Sequence, residues 1–137
     1  MKFSEIEQEQ WEELKPYLDT CLLPITGMTG EESPLEATQC LEDLRDIMDL
    51  IEIPFRGRVV TYPALHYVDK QEHSVEAINS YCRKIKEQGF KYVILITAKV
   101  MLQYEIHAAD LWITPNDDGS LPLDSEIQAK IRGLWQS

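Results

Sequence analysis

The run Lys91-Tyr92-Val93-Ile94-Leu95-Ile96-Thr97 constrains the fold more than any other stretch. It is apolar from Tyr92 to Ile96, with β-branched residues at Val93, Ile94 and Ile96, and it shows no polar alternation. A strand of this kind must be covered on both faces, as in a parallel sheet between two layers of helices. A helical pattern ending in Gly89-Phe90 leads into it, so the strand arrives as the return of a βαβ unit.

The rest of the chain supplies elements to surround that strand. Ser4-Glu5-Ile6-Glu7 reads as a capping box opening a first helix, with Ile6, Gln10, Trp11, Leu14 and Leu18 as its inner stripe and Pro16 as a kink or its end. Cys21 to Thr26 reads as a strand, in which Pro24 leaves a gap in the ladder or marks an edge. Ser33-Pro34-Leu35-Glu36 combines a capping box with proline at the first helical position. The helix it starts runs to about Ile51, with Ala37, Leu41, Leu44, Met48 and Ile51 facing inward. Arg58 to Tyr62 is a second strand ended by Pro63. Asp69-Lys70-Gln71-Glu72 offers another capping box, for a helix to about Gln88 with Val75, Ile78, Cys82 and Ile85 as its seam. Lys99 to His107 permits a short helix, with Val100, Met101, Tyr104 and Ile106 as its apolar positions. Leu111 to Thr114 is a fourth strand, and Asp124 or Ser125 caps a last helix that buries Ile127, Ile131, Leu134 and Trp135. The alternation predicts a single three-layer α/β domain over residues 1–137: a mostly parallel four-stranded sheet in the order 2-1-3-4, with helices on both faces.

Composition narrows the function. The formal net charge is −11, which disfavours nucleic acid and anionic membranes as partners. The apolar runs are far shorter than a membrane span, and the acidic start, Met1 to Glu7, lacks the apolar core of a signal peptide. Cys21, Cys40 and Cys82 are odd in number and well separated, as expected of reduced thiols in the cytoplasm.

Ligands of open parallel sheets bind beyond the carboxyl ends of the strands. That rule collects Thr26, Gly27, Thr29, Glu31, Glu32, His66, His73 and Thr97 as candidate ligand-binding residues. Thr26-Gly27-Met28-Thr29-Gly30 has the glycines of a phosphate-cradling turn, but not the lysine of a P-loop, and Glu31-Glu32 place negative charge where phosphate would lie. A plain flexible turn explains the same glycines. His66 and Glu72-His73 flank one loop and could supply a general base or metal ligands, although no HxH or HxxxH spacing accompanies them. Exposed, idle histidines are the competing reading. No metal set, cofactor motif or activated Ser or Cys nucleophile is legible. The second helix carries Glu42, Asp43, Asp46 and Asp49 outward, opposed by Arg45 alone; this face could steer a basic partner, and a merely solvated face is the favoured competing reading.

The opening Phe3-Ser4-Glu5-Ile6, Trp11-Glu12-Glu13-Leu14 and Leu22-Leu23-Pro24-Ile25-Thr26-Gly27-Met28-Thr29-Gly30 resembles the YpiF-like family of small, uncharacterised bacilli-type proteins. The resemblance implies a cytoplasmic bacterial protein and hints at an accessory role near a respiratory complex. A fainter likeness links Leu23-Pro24-Ile25-Thr26-Gly27, Glu72-His73 and Gly89-Phe90-Lys91-Tyr92-Val93-Ile94 to the N-terminal half of creatininase-like amidohydrolases. That family's metal ligands are missing here: no histidine lies near Glu31-Glu32, and Thr97-Ala98-Lys99-Val100 stands where a histidine-rich glycine turn belongs. The expectation is therefore a non-catalytic binding or accessory module. It would bind a protein or small molecule through its strand-end loops or acidic helix face, and its edge strands leave room for a homodimer. The alternative is a small metal-assisted, amidohydrolase-like enzyme in which Glu31, Glu32, His66 and His73 converge.

Overall fold

The computed structural model describes residues 1–68, 72–99 and 105–136. A 3-10 turn at Phe3–Glu5 precedes α1 (Gln8–Leu14), β1 (Thr20–Ile25), α2 (Pro34–Glu52), β2 (Val59–Thr61), α3 (Glu72–Glu87), β3 (Tyr92–Thr97), β4 (Leu111–Ile113) and α4 (Asp124–Gln136). The four strands form one sheet in the order β2-β1-β3-β4, and every pairing is parallel.

The period-two alternation of each strand sorts the core into two halves. Cys21, Leu23, Ile25, Val60, Val93 and Leu95 point to one face, where Trp11 and Leu14 of α1 and Ile78, Cys82 and Ile85 of α3 cover them. Leu22, Val59, Ile94, Ile96 and Ile113 point to the other, under Leu44, Ile47 and Ile51 of α2 and Ile127 and Ile131 of α4. All six residues of β3 are buried, which is why its sequence shows no polar alternation. Burying a side chain such as Ile94 or Leu95 completely contributes about 1.5–3 kcal/mol. Burial also pushes the Cys21 and Cys82 thiols up, Cys82 to about 11. Cys40 is only half-buried, not the core residue its helical position suggests.

Pro24 sits inside a central strand without breaking it. Its carbonyl accepts from Leu65 N–H at 2.8 Å, on the side where β2 has already ended at Thr61. The missing N–H faces that same gap, so the ladder with β3 runs on through Pro24↔Ile96.

Several local expectations are corrected. Ser4 is not a helix cap: it lies within the 3-10 turn, and Glu5 rather than Glu7 reaches back, accepting from Lys2 N–H at 3.0 Å. Gln10 is exposed. In α2 the buried stripe is Leu44, Ile47 and Ile51, while Leu41 is 48% exposed and Ala37 and Met48 sit on its flank. Two stripes overlap in that sequence, and the sheet and α4 select the one containing Ile47. The first-turn amides of α4 bond to the Leu123 carbonyl, so Leu123 holds the cap position and Asp124 is already helical. The Asp69 capping box and the segment Val100 to Tyr104 lie outside the described residues. The Ser33-Pro34-Leu35-Glu36 start is as expected: Glu36 N–H donates to Ser33 Oγ at 3.2 Å, and Ser33 N–H donates to the Glu36 carboxylate at 3.1 Å.

Candidate functional site

The carboxyl ends of β1, β2 and β3 meet as the sequence predicts, and their loops are tied mainly through main-chain groups. Thr26, at the end of β1, is buried. Its N–H donates to Leu65 O at 2.9 Å, and its hydroxyl lies 3.1 Å from both the carbonyl oxygen and Nδ1 of His66. The hydroxyl can donate to the carbonyl or share a hydrogen bond with Nδ1, whose role is set by the ring's tautomer. Thr26 is thus buried and bonded to His66 rather than open to a ligand. Lys99 reaches back from the end of β3 and donates from Nζ to Gly27 O at 2.9 Å, while its amide donates to Thr97 Oγ1 at 3.2 Å.

The glycine-containing turn is occupied by the chain itself. The N–H groups of Thr29 and Gly30 converge on the Glu32 carboxylate, each at 2.9 Å to one of its oxygens, and Thr29 Oγ1 adds a third donor at 3.2 Å. Gly30 makes this shape with φ +95°, a conformation that side chains strain to adopt. The Thr29 amide, helped by Gly30 and the Thr29 hydroxyl, holds the Glu32 carboxyl well below the usual range, at about 2. The donors that would greet a phosphate are therefore already spent on an internal anion, at an exposed turn.

The predicted residues separate into groups. His66 and His73 line one groove of about 380 Å³ beside the end of β2 and the first half of α3. Glu31 is exposed on the other loop, Glu32 is folded into its turn, and Thr97 is fully buried. Neither glutamate lines the histidine groove. Among the described residues, no group of three or more His, Cys, Asp or Glu side chains could hold a metal ion. The groove also takes Tyr67 and Tyr81, which sequence reasoning missed. A signal existed: His73, Ala77 and Tyr81 repeat at four-residue spacing and so share one face of α3. Lys99 was missed as well, because its partner Gly27 is remote in sequence.

On the opposite side of the molecule from α3, Glu42, Asp43, Asp46 and Asp49 are all exposed along α2. Arg45 bonds to Asp46 at 3.4 Å and Gln39 Nε2 to Asp43 at 2.7 Å, both at the surface.

The model of a family described as a protein of unknown function, DUF2487, matches residues 9–131. The chain belongs to the DUF2487 family. Comparison with curated proteins and with solved structures found no match. The DUF2487 match spans both core halves, the strand-end loops and the acidic helix, so the site described here lies within the family's shared region. No helix among the described residues is long and apolar enough to cross a membrane.

Proposed function

We propose that this DUF2487 protein is a non-catalytic binding module that engages a basic protein partner through the outer face of α2. The observation that carries this reading is the exposure of Glu42, Asp43, Asp46 and Asp49 along one helix, with Arg45 as the counter-charge within the face. Such a field accelerates encounter with a positive surface and falls away with salt. The strand-end loops support it indirectly: Glu32, Lys99 and Thr26 are bonded to the chain's own groups, so the described residues there hold no assembled nucleophile, base and orienter. On the same footing we read the chain as one domain of a cytoplasmic bacterial protein, in keeping with its YpiF-like opening and its isolated cysteines.

The test is carboxylate-to-amine cross-linking in cell extract, with the linked sites mapped by mass spectrometry. One partner cross-linked repeatedly at Asp46 and Asp49, weakened by salt and lost in a variant carrying Glu42→Lys, Asp43→Lys, Asp46→Lys and Asp49→Lys, supports the module. Turnover of amide or ester substrates by the purified protein, abolished by His66→Ala or His73→Ala, would replace it with the hydrolase reading.

A further inference from the structure

A second, unrelated site faces the other side of the sheet. The 3-10 turn and α1 lie against β2 and leave a groove of about 580 Å³, within the size range of small-ligand pockets. Its walls are aromatic: Phe3, Trp11, Tyr62 and Phe90 all line it. The rings hold one another. Tyr62 meets Phe90 edge to face with centroids 5.4 Å apart, Trp11 lies 6.0 Å from Phe90, and Phe3 lies 6.4 Å from Tyr62. Phe90 is buried at 3% exposure and anchors the set to the core, so the wall exists before any ligand arrives.

The rim carries one sign of charge. Glu7, at the cap position before α1, and Glu12, next to Trp11 in the helix, both line the groove, and none of the lining residues is basic. Burial pushes the Tyr62 hydroxyl up, so it stays neutral and contributes a ring rather than a third negative charge. Ring faces are negative and their edges positive, so a cation above them is attracted by the quadrupoles as well as by the carboxylates. An anion would be repelled, and a neutral apolar ligand would crowd the two carboxylates without pairing them.

We propose that this groove binds a small organic ammonium ion, its alkyl body on Trp11, Tyr62 and Phe3 and its charge between Glu7 and Glu12. The site is independent of the acidic face of α2, which covers the opposite side of the sheet.

Choline, n-butylamine and the neutral choline isostere 3,3-dimethyl-1-butanol test it, by calorimetry and by amide and indole shifts in ¹⁵N spectra. The two ammonium ions should bind, with the Trp11 indole among the largest shifts, and the isostere should bind at least about five-fold more weakly. The Glu7→Gln/Glu12→Gln variant changes only exposed groups and should keep its melting temperature. It should lose about five-fold or more in ammonium affinity, while its affinity for the isostere stays unchanged. Equal binding of the isostere, unaltered ammonium affinity in the double variant, or no ammonium binding up to about 10 mM would overturn the proposal. So would capture of a lysine-rich peptide without binding of the free ammonium ions, since the groove would then be a docking surface.

Discussion

At the amino edge of the sheet, charged and aromatic side chains bolt separate elements together. Arg58, just before β2, grips Asp19, just before β1, through Nε and Nη2 at 2.9 and 3.1 Å. The guanidinium also lies 4.0 Å over the ring of Trp135 in α4, and Trp135 donates to Thr20 Oγ1 at 2.9 Å. Lys86 and the Val93 amide both reach Asp110, ahead of β4. At the carboxyl edge the ties are lighter. There the described residues use carbonyls, the Thr26 and Thr97 hydroxyls, Lys99 and an internal carboxylate, and His66, His73 and Tyr67 stay exposed. The contrast separates stability from opportunity: the amino edge invests its charges in long-range contacts, whereas the carboxyl edge keeps side chains available to solvent.

Three sets of substitutions probe that contrast, beginning with the largest effect. Arg58→Ala removes a forked ion pair and a cation–π contact together, and should lower unfolding free energy by about 2 kcal/mol in urea titration. Arg58→Lys should recover less than half of this, because an ammonium lacks the planar fork. A loss below about 0.5 kcal/mol would place the clamp among ordinary surface pairs and erase the distinction between the edges.

The glycines at the two edges come next. Gly89, at the amino edge, has φ +114°, and an added Cβ would lie 2.9 Å from Lys15 Cε. Gly30, at the carboxyl edge, has φ +95° and open space around it. Gly89→Ala should cost about 1–2 kcal/mol and Gly30→Ala about 1 kcal/mol, the common part being backbone strain. Thermal melts of the two variants make the comparison. Equal losses would show that the Lys15 chain simply swings aside.

The smallest effect is the most specific. The Glu32 carboxyl is held at about 2 in the folded protein, below its ordinary value of 4.5. A depressed acid stabilises the fold above its unfolded value and loses that contribution as pH falls through the folded one. Wild type should therefore melt above Glu32→Gln at pH 7, and the gap should close between about pH 4.5 and 2. A gap that is constant with pH would mean that the turn is held by shape rather than by the anion.

Much of the fold was legible in the chain. The continuous apolar run of β3, the Ser33-Pro34-Leu35-Glu36 start of α2 and the alternation of helices with strands carry the parallel sheet and its order between them. The site was legible in part. The strand-end rule placed Thr26 and His66 together, because topology brings strand ends to one edge whatever the sequence says locally. It could not show that Glu32 fills its own turn, since a carboxylate near glycines reads equally as a repelling charge. Nor could it show the aromatic groove: Phe3, Trp11, Tyr62 and Phe90 come from four separate stretches, and each reads alone as an ordinary core or surface ring.

What the sequence determined by itself is whatever depends on near neighbours along the chain: periodicity, caps, breaks and the two-sided burial of one strand. Tertiary structure alone decided which helix face turns inward, as with Ile47 over Leu41, and which distant charges meet, as with Arg58 and Asp19. Local patterns act over a few residues and are written in the order of the chain. Packing and long-range pairing compare the energies of whole arrangements, and those exist only once the sheet has brought remote residues side by side.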